Sequence, residues 1–452
     1  MKKLIYLFSI LLVFAGCKKS AYESAFGDRP ETRTANAISE VNTKLTTATD
    51  GWVGTLSTQE GGGYGFYMNF DATTQVVNMY ADMSDATATV LGKSTFRVKA
   101  NAGAELIFDT YNYISLPADP DPSSFGGETG AGFRSDVEFI YDHSTADSIL
   151  FTGKKYRQPL VMVKATAAQK ALFAGGGYKT AIDKMKTFFQ TIKNPYIDIT
   201  AGSAALKAGI TMNASNDRST GKRFSFTGLA ADGKTVGSGD SKFAFSLEGA
   251  DLLNAGLVYE GVSFKKIRWK DATTLAFYDA AGKEYVVKSS PSPLLPLYIL
   301  MGAGYKSITT PNATTYPGWG SDFIARRATA ATGVSRWSLS TGSLRLSELN
   351  FTFNDVTKKM VLVANTPAGT SSFSLTFNYT YTKSESGVFK FTIGTLGGNE
   401  AAIAPDMASL LAQRINVDNF TLDYFTHPVT GATLGQFKSI EHPDFTFTGA
   451  LQ

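Results

Sequence analysis

From Trp52 onward, large apolar side chains return at every second position in short runs, as in Tyr64-Gly65-Phe66-Tyr67-Met68-Asn69-Phe70 and Leu349-Asn350-Phe351-Thr352-Phe353. Successive side chains of a strand point to opposite faces, so this spacing predicts strands with one buried face. Gly, Asp, Asn and Pro separate the runs, as in Gly61-Gly62-Gly63, read as a tight turn, and Asp71-Ala72-Thr73-Thr74. Such closely spaced strands and turns predict an antiparallel, all-β chain, barrel- or sandwich-like, in two or three modules. The 32 Phe and 20 Tyr supply the bulk to fill such interiors.

Helical spacing occurs in few places. Asp28-Arg29-Pro30-Glu31 reads as a helix start, with an Asp cap and then Pro and an acid in the first turn; Ile38, Val41 and Leu45 follow on one face. Thr166-Ala167-Ala168-Gln169 fits a capping box, and Ile182, Met185, Phe188, Phe189 and Ile192 mark an amphipathic helix that ends at Asn194-Pro195. Ala404 to Arg414 reads as a late helix. These place a helix and β domain at 29–165, a helical connector at 166–194 and a β region at 195–452, with a further boundary near 292 among Pro291, Pro293 and Pro296. Ser148-Ile149-Leu150-Phe151 through Lys164 is similar to Thr274-Leu275-Ala276-Phe277 through Lys288, which suggests an internal repeat.

The first residues point to export. Lys2 and Lys3 precede an apolar run, Leu4 to Ala15, shorter than the ~20 residues that span a bilayer. It ends in Phe14-Ala15-Gly16-Cys17, which resembles a bacterial lipobox: residues 1–16 are a signal peptide, Cys17 is lipidated and 17–28 are a tether. Cys17 is the only cysteine, so the mature chain has no thiol for a disulfide, a metal or a nucleophile. The membrane is then a partner through the lipid alone.

Little else carries chemistry. The net charge is +4 and the basic residues are scattered, which argues against nucleic acid. His143, His427 and His442 form no metal or general-base motif, and no cofactor is expected. The loop Ala118 to Ser135 is long and aperiodic, hence functional or mobile. Within it Asp119, Asp121 and Glu128 are weak candidates for a hard cation. Tyr316, Trp319 and Phe323 lie in a Gly- and Pro-rich stretch; they form either an exposed aromatic loop that grips a sugar or a protein, or a plug for one end of a β domain.

Several stretches together, Gly51-Trp52-Val53-Gly54-Thr55-Leu56, Gly62 to Phe70, Met79-Tyr80-Ala81-Asp82-Met83, Leu106 to Tyr111 and Ala118-Asp119-Pro120-Asp121-Pro122, resemble the Bacteroidota lipoprotein family filed as domain of unknown function 4302. The resemblance implies an outer-membrane lipoprotein, on the periplasmic or the cell-surface face, near nutrient-uptake systems of the starch-utilisation type. Those pair a TonB-dependent channel with a lipoprotein lid. The family has no established catalytic residues, so none is carried over. The function expected is non-enzymatic: a binding or accessory component of such a system, with a glycan or peptide ligand. The alternatives are a carboxylate-dependent hydrolase of glycans or peptides, and a structural envelope protein.

Overall fold

The structure, a computed structural model, describes residues 29–101 and 103–452. The signal peptide, Cys17, the tether and the Asp28 cap lie outside the described residues.

Along the chain, a closed antiparallel barrel is followed by a ten-stranded antiparallel sheet and then a second closed barrel. The first is a closed barrel of β1 (Trp52–Ser57), β2 (Gly63–Phe70), β3 (Val76–Ala81), β4 (Gly92–Ala100), β5 (Ala104–Phe108), β6 (Glu138–Ser144), β7 (Ser148–Gly153) and β8 (Pro159–Lys164), in which β8 pairs back with β1. Eight strands leave an interior that side chains fill. Here Phe66, Met68, Phe96, Phe139, Phe151 and Leu160 do so. The helix Pro30–Thr47, with Pro30 and Glu31 in its first turn, sets Val41 and Leu45 into that core, and the Trp52 indole N–H donates to Leu45 O at 3.1 Å.

The Thr166/Gln169 capping box is present and opens the helix Ala167–Ala174; the helix Gly177–Thr191 follows and packs Ile182 and Met185 into the second core. That module is a sheet of β9 (Pro195–Ala201), β10 (Ala204–Asn213), β11 (Arg223–Leu229), β12 (Val236–Ser246), β13 (Gly249–Leu252), β14 (Leu257–Tyr259), β15 (Val262–Trp269), β16 (Leu275–Asp279), β17 (Glu284–Val286) and β18 (Lys288–Ser289). Only Val287 separates β17, which pairs with β16, from β18, which pairs with β9, so one stretch of chain joins both ends of the sheet.

The stretch with Pro291, Pro293 and Pro296 leads to β19 (Ser307–Thr310). The helix Ser321–Val334 and a small ribbon of β20 (Ser338–Leu339) and β21 (Gly342–Ser343) come next. Then β22 (Leu349–Asn354), β23 (Lys359–Asn365), β24 (Ser374–Lys383), β25 (Val388–Ile393), β26 (Asn419–Thr426), β27 (Thr433–Ser439) and β28 (Thr446–Leu451) close a barrel with β19. The late helix expected at 404–414 is broken: Gly398–Ile403 is α-helical, Ala404–Met407 with Pro405 is 3-10, and Leu411–Ile415 is π. No described helix is long and apolar enough to cross a membrane.

The first two modules meet over glycine. A Cβ at Gly62 would lie 2.0 Å from Lys222 Cβ, one at Gly63 2.1 Å from a Leu253 methyl, and one at Gly65 2.4 Å from the Tyr178 hydroxyl. Only glycine lets β2 approach the second module this closely. The run that reads as a simple turn is therefore also an interface.

Candidate functional site

The long loop of the first barrel has regular structure of its own. It folds through a 3-10 turn, Tyr113–Ala118, and a helical turn, Pro122–Phe125, and then lays Phe125 and Phe133 on Tyr64, with ring centroids 5.5 and 6.4 Å away. Phe133 is fully buried, and its backbone N–H donates to Pro117 O at 2.8 Å. The loop is thus an aromatic plug in one mouth of the barrel.

Beside the plug, Asp136 fixes the turn after β7. Its carboxylate accepts the backbone N–H of Lys155 at 2.7 Å and of Tyr156 at 3.0 Å. Gly153 is required there, because a Cβ would sit 2.2 Å from Asp136 Oδ2. The plug and this turn enclose a pocket of about 270 Å³, lined among others by Gly130, Ser135, Glu138, Lys154 and Tyr156. Barrel mouths are common places for small ligands, though this cavity is at the small end of the usual ~300–1,000 Å³.

Its charges are mutually committed. Lys154 Nζ donates to Glu138 at 2.6 Å and to the fully buried Glu105 at 3.2 Å. The bond to Glu138, then that to Glu105, holds the ammonium pKa above its ordinary value, so Lys154 stays protonated and is no nucleophile. Lys155 Nζ lies 4.6 Å over the Tyr156 ring. The Ser135 hydroxyl is buried and has no partner. A buried hydroxyl without a partner costs about 1–3 kcal/mol, which a ligand's hydrogen bond would recover. The pocket can therefore hydrogen-bond through Ser135 and present an aromatic ring through Tyr156.

The other residues singled out in the sequence serve structure. Asp119 accepts the Tyr111 hydroxyl, which with the Asp121 N–H holds its carboxyl below the usual range. Asp121 accepts the Ser123 N–H, and Glu128 pairs with Arg134 at 2.8 Å and Arg218 at 3.1 Å. These three do not form a cation site; among the described residues no group of three or more His, Cys, Asp or Glu is placed to hold a metal ion. The exposed aromatic loop is corrected to the plug. Trp319 is 8% exposed and its indole N–H donates to Thr448 O at 2.9 Å; Phe323 is 1% exposed and stacks on Phe447 at 4.4 Å. Tyr316 leans on Trp319 and His427. His143 is exposed, and sits next to Asp142 at an irregularity within β6 and not in a turn. His442 Nδ1 lies 3.0 Å from Asp418 Oδ2, but the Ser439 hydroxyl donates to that same Asp oxygen and not to the imidazole. That order cannot activate a serine.

Asp82 and Lys222 carry no sequence signal. They meet between the first two modules at 2.6 Å, with side chains 0% and 2% exposed. Asp82 Oδ2 also accepts the Phe245 N–H at 2.8 Å, and Lys222 Nζ lies 4.4 Å over the Phe245 ring. Burial outweighs the pull of Asp82 and lowers the Lys222 pKa.

A family model described as "Domain of unknown function (DUF4302)" matches residues 22–271, which covers the first module and the second as far as β15. No curated protein matches. Among solved structures, the C. crescentus beta sliding clamp aligns over 93% of this chain and 96% of that one, at 8% identity. Its TM-score of 0.12 supports no inference about fold or function.

Proposed function

The chain belongs to the DUF4302 family, and from that premise we propose that it is an envelope lipoprotein, tethered through Cys17, that binds a small glycan unit in the mouth of its first barrel as an accessory to a nutrient-uptake system. The observation that carries the reading is the unpartnered, buried hydroxyl of Ser135, a residue that lines the pocket together with the half-buried Tyr156. A sugar offers both what that pocket lacks: hydroxyls for Ser135 and a C–H face for the ring. The lipobox and the family favour the membrane tether. A TonB-dependent channel and its lipoprotein lid are the partners that such a tether serves.

Binding is favoured over hydrolysis by the acids. Glycoside cleavage needs a carboxyl whose pKa is raised. In the pocket Asp136 is held by two backbone N–H groups and Glu138 by Lys154. Elsewhere, Glu60 beside Arg218 and Glu284 beside Lys270 are both shifted down.

The test has two arms. The lipidated protein and a Cys17→Ala control are used as bait in detergent-solubilised envelope, and a panel of mono- and disaccharides is titrated into wild type, Ser135→Ala and Tyr156→Ala. The reading expects a channel or lid protein with the lipidated form, and one sugar class whose affinity falls at least tenfold in both pocket variants. No partner and no sugar bound would reject it.

A further inference from the structure

A second cavity, of about 440 Å³, opens between the first and second modules. Its two walls differ in kind. One is the outer face of the seam that closes the first barrel, where Val53 stands opposite Val163 and Thr55 opposite Val161. These side chains point away from the barrel core, and Val163 is 48% exposed. The other wall sets polar groups beside Leu252 and Leu253. There Arg268 pairs with Asp251, and Glu248 accepts the Gln169 amide N–H at 3.1 Å. Lys164 stands at the rim, 3.9 Å from Asp147. Between the walls lies Ser246, 5% exposed, whose hydroxyl has no hydrogen-bond partner.

Three features point one way. The valine wall takes a branched aliphatic group. The lining carries two cations, Lys164 at the rim of the first-module wall and Arg268 across from it, and two anions, Glu248 and Asp251, so it is balanced and matches a ligand with one charge of each sign. The Ser246 hydroxyl leaves one buried hydrogen bond to be made, and a polar group of the ligand supplies it. A sugar, with hydroxyls on all sides, would bury some of them against valine. We propose that this cleft is a binding site for an aliphatic amino acid or short peptide in its zwitterionic form. The site is separate from the barrel mouth and does not depend on what binds there. Because both modules contribute a wall, its ligand also stabilises their contact.

The probe is the dipeptide leucyl-leucine, titrated calorimetrically into the full chain. Its N-acetylated amide, which lacks both charges, and glycyl-glycine, which lacks the side chains, serve as controls. Leucyl-leucine is expected to bind at least tenfold more tightly than either control. Val161→Phe fills the cleft from an outward-facing position that leaves the barrel interior untouched, and it should abolish binding. Ser246→Ala removes only the hydroxyl and should weaken binding several-fold. Retained sugar binding at the barrel mouth, or an unchanged unfolding midpoint, shows that these variants are folded. The proposal falls if leucyl-leucine does not bind, if the uncharged amide binds equally well, or if Val161→Phe leaves the affinity unchanged.

Discussion

Replacing Lys222 by Met tests whether the first two modules are held by a buried charge pair. At 2.6 Å and an effective dielectric constant near 20, the Lys222–Asp82 attraction is roughly 6 kcal/mol before solvation is counted. Removing both ions from water costs several kcal/mol each, so the pair as a whole contributes little net stability. Breaking it is different, because one buried charge is left without its partner. Lys222→Met leaves the Asp82 carboxylate with only the Phe245 N–H at 2.8 Å, and a loss of about 3–5 kcal/mol is expected. In Asp82→Asn/Lys222→Met the charge is gone and the amide oxygen still accepts from Phe245. That double variant should lie within about 1–3 kcal/mol of wild type. The assay is urea unfolding followed by tryptophan fluorescence, since Trp52 and Trp269 report on the two joined modules. If Lys222→Met keeps the wild-type midpoint, or the double variant is no more stable than the single, the buried-charge argument is refuted.

Trp319→Ala removes the plug of the second barrel and should destabilise that module by about 3–5 kcal/mol, read as an earlier unfolding transition, with ligand binding in the first barrel unchanged. Lys242 gives a pH signature. Burial, with the nearby Arg223 charge next, pushes its pKa down from 10.5 to about 8. Between those values the unfolded chain holds a proton that the folded chain has lost, so the contribution of this residue to stability rises with pH across that window. The wild type should gain stability relative to Lys242→Met between about pH 8 and pH 10; a flat or falling difference would contradict the assigned shift.

Period-two patterning predicted strands such as β2 and β22, because burying one face of a strand requires it, but it did not pick out β9, β10, β19 or β27. The capping box at Thr166 was legible because its bonds join residues three apart. Other features depend on distant partners. Gly61-Gly62-Gly63 reads as a turn until Lys222 and Leu253 arrive from the second module to occupy the space that a Cβ would need. The aromatics at 316–323 admit an exposed grip or an inward plug in sequence, with the plug the better reading. Thr448 O and the Phe447 ring, more than a hundred residues away, decide for the plug. The pocket residues Ser135, Asp136 and Tyr156 form no motif, because a loop and a hairpin turn bring them together across the barrel mouth. The sequence by itself thus determined the all-β class and the strands with strong alternation, since those depend on local spacing, while the helix Ser321–Val334 carried no signal that was read. Only the tertiary structure decided that the first and last sets of strands close into barrels, that the first barrel and the following sheet are joined over glycine and a buried ion pair, and which hydroxyls are left without partners, because each depends on residues far apart in the chain.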